Sequence, residues 1–197
     1  MEGERSRCSD DSMAVGSNPA STVVLTECNS LSQYGIKVVE RVAEWLLARC
    51  CSVRDSNVAD PFTSEFKASV SLSSYMVRLA RYANIAVRGS TGGDSMGVRA
   101  AVLTAIWAVR LEAIRPGFKV NEHNVHRIAA SAFYLAMKVI EDDAGDVPVA
   151  FWASVAGVKP KEMRGLEAAF CAMLDFRLAV QSEELERFRD AFDLSPL

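Results

Sequence analysis

The sequence predicts an all-α protein, and three observations carry that prediction. Apolar residues recur at three- and four-residue spacings in one segment after another. No segment sustains the two-residue alternation, rich in β-branched side chains, that marks a strand. Several segments open on a Ser or Pro and close on a Gly or a Pro-Gly turn, the punctuation of helices. The chain has 197 residues, 50% of them apolar and 24% charged. That suits one domain of ordinary size and is too apolar for a disordered chain.

The first 30 residues are rich in Ser, Asn, Asp, Glu and Gly, with only Val23, Val24 and Leu25 as a short apolar patch. Residues 1–31 are therefore expected to be a mobile leader and residues 32–193 the folded domain. From Ser32 the pattern changes. Ile36, Val39, Ala43, Leu46 and Cys50 recur at helical spacing, with Val38, Val42 and Trp45 as a second row, and this helix ends near Cys51. A second helix is capped by Ser71 or Ser73 and runs to about Asn84, its apolar side formed by Leu72, Tyr75, Met76, Leu79 and Tyr82. The Gly-rich run 89–97 matches no phosphate-loop spacing and follows no strand, so it reads as a helix–helix connection.

A third helix, apolar on nearly every side, spans about 98–114 and stops at Arg115-Pro116-Gly117. The fourth starts after Asn121 and continues to about Asp142. A short fifth ends at Gly157. The sixth takes Pro160 at its first position and Glu162 close behind, and runs to about Leu174. A last amphipathic segment follows Ser182, read as its cap, to Phe192.

Composition removes several function classes. The longest apolar run, 128–140, is interrupted by Ser131 and Lys138, so nothing is expected to span a membrane. Residues 1–30 carry five acids and two bases, and the remaining residues hold 20 acids and 20 bases. A balanced folded part, with no run rich in Lys or Arg, lacks the basic excess of a nucleic-acid binder. The five cysteines, Cys8, Cys28, Cys50, Cys51 and Cys171, are odd in number and form no C-x-x-C. With a polar start and no secretory signal read in it, a reducing, intracellular compartment, nucleus or cytoplasm, is expected. His123 and His126 form H-x-x-H, but no third ligand accompanies them as a zinc site needs. No nucleophile motif is recognisable, so no enzyme chemistry, metal or cofactor is expected.

Two helices carry the functional information. On a helical wheel the fourth presents Val125, Ile128, Ala129, Ala132, Ala136, Val139 and Ile140 as a wide apolar face, opposite a narrow stripe of Arg127, Ser131, Tyr134 and Lys138. Such a helix belongs at the centre of a domain. Lys138 either extends to solvent along its aliphatic stem or serves some purpose in restricted surroundings. On the sixth helix, Met163, Leu166, Phe170, Met173 and Leu174 mark the apolar stripe, and Glu167 falls at its edge. A carboxylate there needs a partner: one within the chain, with Lys138 a candidate, or the backbone N–H groups of another protein. Glu141, Asp142 and Asp143 crowd the end of the fourth helix, either as a solvated cluster or as an acidic patch for a basic partner.

In order, the segments 71–84 (SLSSYMVRLARYAN), 103–111 (LTAIWAVRL), 118–143 (FKVNEHNVHRIAASAFYLAMKVIEDD), 151–158 (FWASVAGV) and 162–178 (EMRGLEAAFCAMLDFRL) resemble a cyclin box. The likeness is to the P-type or U-type, phosphate-signalling cyclins. His126-Arg127, the Lys twelve residues after His126, and Leu166-Glu167 are its sharpest points. Val149, Ser154 and Ala156 depart from the Asn, basic residue and Gly usual at those positions, all in or beside the short fifth helix.

The resemblance implies a single five-helix cyclin box, with an extra N-terminal helix and a short C-terminal helix. It implies a non-catalytic subunit that binds and activates a cyclin-dependent Ser/Thr protein kinase. Lys138 and Glu167 match the residues that grip kinase backbone groups in that family, and Val139, Cys171 and Leu178 match packing positions of that interface. Asp142, at the acidic end of the fourth helix, joins them as a candidate partner contact. Without its kinase the chain is expected to be a monomer, with no small-molecule ligand. A cyclin-fold adaptor or transcription-type scaffold acting without a kinase is the alternative.

Overall fold

The computed structural model describes residues 31–50, 61–86, 95–140 and 147–192. Among these are seven α-helices: α1 Gln33–Arg49, α2 Leu72–Ala86, α3 Met96–Ile114, α4 Val125–Ile140, α5 Val149–Ala156, α6 Pro160–Met173 and α7 Ser182–Ala191. No described residue lies in a β-strand. The expected architecture is the one observed: α2 to α6 form a five-helix unit, with α1 before it and α7 after it.

Local chemistry sets the boundaries. Ser32 accepts from the Gly35 N–H at 3.0 Å and caps α1, and Ser71 accepts from the Ser74 N–H at 3.2 Å at the start of α2. α3 begins at Met96, two residues earlier than the sequence suggests, because Ser95 supplies the cap. α4 begins later than suggested. Asn124 Oδ1 accepts from the Asn121 N–H and Asn121 Oδ1 accepts from the His123 N–H, each at 2.8 Å, in a tight turn that delays helical geometry until Val125. Gly157 ends α5 with φ +75°, a conformation that favours glycine. Ser182 is not a cap: it is the first residue of α7, and Gln181, ahead of it, makes no side-chain capping bond.

α4 is the axle of the bundle. It packs against α3, α6 and α2, and every residue from 128 to 137 is buried. This corrects the polar stripe of the wheel. Ser131 is sealed in and donates to the Arg127 carbonyl at 2.8 Å, which frees the hydroxyl from any need for water. Tyr134 is covered by Trp152 of α5, whose ring stacks on it at 6.2 Å and 14°. Trp152 in turn donates its indole N–H to the Ala130 carbonyl at 3.1 Å.

α1 belongs to the core. Val38, Val39, Val42, Ala43 and Leu46 are buried, and α1 packs on α2 and α3. Where α3 crosses α2, Gly97 lies so close that a Cβ would stand 2.5 Å from the Ala80 carbonyl oxygen. α7 has no fully buried residue. It is fastened through Phe188 and Phe192, which make edge contacts with Trp45 of α1, and through an ion pair between Arg110 of α3 and Glu184.

Candidate functional site

The burial of α4 ends abruptly at Met137, and the next two residues, Lys138 and Val139, emerge at the surface. α6 lies alongside, anchored by buried Met163, Leu166 and Phe170. Glu167 follows Leu166 in sequence and sits on the flank of that stripe, turned towards the end of α4. The two helices so bring Lys138 Nζ within 2.6 Å of Glu167 Oε1, with the side chains 33% and 21% exposed. Neither sequence alternative for the lysine alone is complete: it reaches the surface and also finds an intramolecular carboxylate.

The ammonium is held from a second side by the ring of Tyr134, one turn back on α4, 4.3 Å from Nζ to the ring centre. Partial burial works against its charge, but the bond to and charge of Glu167 outweigh it, and the Lys138 pKa is raised. Both groups keep capacity beyond this pairing. An ammonium has three donors and a carboxylate about four lone-pair positions, so each can bond a main chain without leaving the other.

The remaining positions surround this pair unevenly. Val139 is 46% exposed. With Leu178, Val102, Leu103, Ile140 and Leu185 it lines a cleft of about 240 Å³ between the end of α4, α3 and α7. Cys171 lies one turn beyond Glu167 on α6. Burial pushes its thiol up, the Glu167 carboxylate adds to this, and the group stays protonated at neutral pH. Asp142 lies outside the described residues, as do Glu141 and Asp143.

Sequence reasoning missed Phe176. It stands just past α6 with φ +57°, follows Asp175 at φ +49°, and is 74% exposed. Its N–H bonds the Cys171 carbonyl at 2.9 Å, and its carbonyl accepts from the Leu178 N–H at 2.9 Å, so it sits directly between two of the singled-out residues. The only signal in the sequence is Asp175, one of the few residues besides glycine that tolerate a left-handed backbone.

The two histidines do not converge. His123 Nδ1 faces the Ser64 carbonyl at 3.1 Å, whereas His126 Nε2 faces the Val70 carbonyl at 3.0 Å. Among the described residues no three His, Cys, Asp or Glu side chains are placed to hold a metal ion. No described helix is long and apolar enough to cross a membrane.

The sequence model of the cyclin family matches residues 24–178. The chain belongs to the cyclin family. The match begins ahead of α1, so that helix lies within the family region, and it closes at Leu178, one of the residues lining the cleft. The relatives carry U-type and P-type names, in keeping with the subfamily resemblance. Cyclin-U4-1 of Arabidopsis thaliana is 28% identical over 144 residues, covering 73% of this cyclin and 64% of the relative. Cyclin-P1-1 of Oryza sativa subsp. japonica is 36% identical over 76 residues, 39% of this cyclin and 28% of the relative. Cyclin-U2-2 of Arabidopsis thaliana is 24% identical over 119 residues, 60% and 46% of the two chains. This cyclin spans less than two thirds of the length of these curated relatives.

Proposed function

We propose that this cyclin is a non-catalytic regulatory subunit that binds a cyclin-dependent Ser/Thr protein kinase and activates it. The observation that carries the reading is the partly exposed Lys138–Glu167 pair in a chain whose residues 24–178 match the cyclin family. Val139, next to Lys138, is half exposed and Phe176, past the end of α6, is exposed, and both are apolar groups that gain by being covered.

The mechanism is a shift of populations. A kinase transfers phosphate only when its own Lys–Glu pair, with the Glu on the C-helix, is closed. A surface that binds the closed arrangement better than the open one draws the kinase towards it. Lys138 would donate to kinase main-chain carbonyls next to the C-helix, and Glu167 would accept from main-chain N–H groups there. Each such charge-assisted bond contributes roughly 1.5–3 kcal/mol. Val139, Cys171, Leu178 and Phe176 would exclude water from those bonds, and Asp142 would extend the contact with its charge.

The test uses the full chain with a panel of purified, cyclin-free cyclin-dependent kinases, ATP and a generic Ser/Thr peptide substrate. At least one kinase is expected to be bound and its peptide phosphorylation stimulated. The variant with both Lys138→Ala and Glu167→Ala is expected to fold and to lose most of both effects. Stimulation of no kinase by the wild-type chain, or an unimpaired double variant, refutes the proposal.

A further inference from the structure

We infer that Arg115 is a positioning residue for partner binding: it holds the left-handed turn at Asp175 and Phe176 that pushes the Phe176 ring out of the bundle towards the kinase. The inference rests on the proposed function and adds to it a residue on a different helix.

The turn is strained and not repaid by burial. α6 closes with a bond from the Phe176 N–H to the Cys171 carbonyl and another from the Asp175 N–H to the Ala172 carbonyl. This is the helix ending that glycine usually completes, because its extra residue takes a positive φ. Here Asp175 stands there, and Phe176 after it is left-handed too, at φ 49° and 57°. A residue with a Cβ takes that conformation at a cost, and two in a row double it. Phe176 recovers nothing by packing, since it is 74% exposed. Backbone strain of this kind persists where the surroundings over-determine it.

Arg115 is what over-determines it. From the end of α3 its Nε donates to the Met173 carbonyl at 3.0 Å, and its Nη2 donates to the Ala172 carbonyl at 2.8 Å and to Asp175 Oδ1. One planar guanidinium thus satisfies two end carbonyls of α6 and fixes the side chain of the first left-handed residue. Five residues back, Arg110 donates to the carbonyls of Arg177 and Ala179 and secures the exit of the turn. What the clamp achieves is an aromatic ring held out in water on a turn whose backbone bonds Cys171 and Leu178, the two residues that match packing positions of the proposed interface. The occupant it fits is an apolar recess on the same kinase. A ring already fixed in its bound position loses little freedom on docking.

Two readouts separate this from the proposed function. Trypsin cleavage after Arg177 reports the turn in the free protein, and affinity for the kinase identified above reports presentation. Arg115→Met is expected to speed that cleavage and to weaken kinase binding about tenfold, the scale of losing one anchoring aromatic. Phe176→Ala is expected to weaken binding equally, and adding Arg115→Met to it is expected to cost little more, because the arginine acts through the ring. Asp175→Gly added to Arg115→Met is expected to restore much of the affinity, since glycine takes a positive φ freely. The inference is overturned if Arg115→Met leaves binding or cleavage unchanged, if the Arg115 and Phe176 effects add in full, or if the glycine gives no recovery. A wild-type chain that binds no kinase overturns the proposed function itself, whatever the cleavage rates show.

Discussion

Lys138 on α4 and Glu167 on α6 meet at 2.6 Å at the surface, the lysine also lying over the ring of Tyr134. Their exposure limits what the pair can add to folding, about 0–1 kcal/mol for ion pairs in such positions. Replacing both by Ala is therefore expected to leave the urea midpoint nearly unchanged while kinase binding is lost. Exchanging them, Lys138→Glu with Glu167→Lys, keeps an ion pair but presents a donor where the partner needs an acceptor. That variant is expected to match wild-type stability in the same urea titration and still fail in kinase binding. Binding at wild-type strength by the exchanged pair would show that the positions supply only attraction to each other.

Gly97 and Asn84 form a tight joint between α3 and α2. The Gly97 N–H donates to buried Asn84 Oδ1 at 2.7 Å, and the missing side chain lets α3 sit against the backbone of Ala80. Gly97→Ala places a methyl 2.5 Å from a carbonyl oxygen that cannot step aside. The expected loss is about 1–3 kcal/mol, or more if the helices must separate. Asn84→Ala leaves a buried N–H without its acceptor and is expected to cost about 1–3 kcal/mol. Urea unfolding of the two single variants and the double should show less than additive losses, because both act on one contact.

Trp152 supports α4 from the short helix in which the sequence departs most from the usual family pattern. It is fully buried, stacks on Tyr134 and donates to the Ala130 carbonyl. Trp152→Ala is expected to lower stability by about 3–5 kcal/mol, measured by urea unfolding. Trp152→Phe keeps most of the ring and loses only the bond, and should fall well short of that.

How far the sequence could be read depended on whether a residue's fate is decided within its own element. The apolar periodicity of residues 125–140 is local, and it correctly singled out the helix now seen at the centre. Tyr134 reads as part of a polar stripe because its cover, the Trp152 ring, comes from another helix, and Ser131 does so because spacing does not show that its hydroxyl is satisfied by the Arg127 carbonyl one turn back. Wheel geometry cannot show a neighbouring helix. For the same reason the approach of Lys138 to Glu167 was only one of two open possibilities for the carboxylate. Gly97 closes a run that reads as a connector, yet it is a helical residue chosen for lack of a side chain against Ala80. In Asp-Phe-Arg only Asp175 hints at a left-handed residue, and nothing there announces a second one at Phe176 or an arginine some sixty positions earlier that holds the turn.

Tyr75 and His126, whose rings lie 5.1 Å apart, should bound the pH range of stability from opposite sides. His126 Nε2 is engaged with the Val70 carbonyl, while Nδ1 is buried with no hydrogen-bond partner among the described residues. Burial disfavours the imidazolium more than the Val70 carbonyl favours it, so the pKa lies below the ordinary 6.5. As pH falls through 6.5 the unfolded chain takes up a proton that the folded chain refuses, and stability declines until the folded pKa is passed. Tyr75 gives the opposite limb. Burial pushes its phenol up from 10.0 to about 12, against the weaker pull of Arg78 and Arg127, and the hydroxyl donates to the Ala156 carbonyl at 2.9 Å. Above pH 10 the unfolded phenol ionises first, and stability falls as pH rises towards 12. Urea midpoints followed from pH 5 to 11 should show both declines, with His126→Gln flattening the acid limb and Tyr75→Phe the alkaline one. An acid limb of undiminished slope in His126→Gln would assign it to other groups.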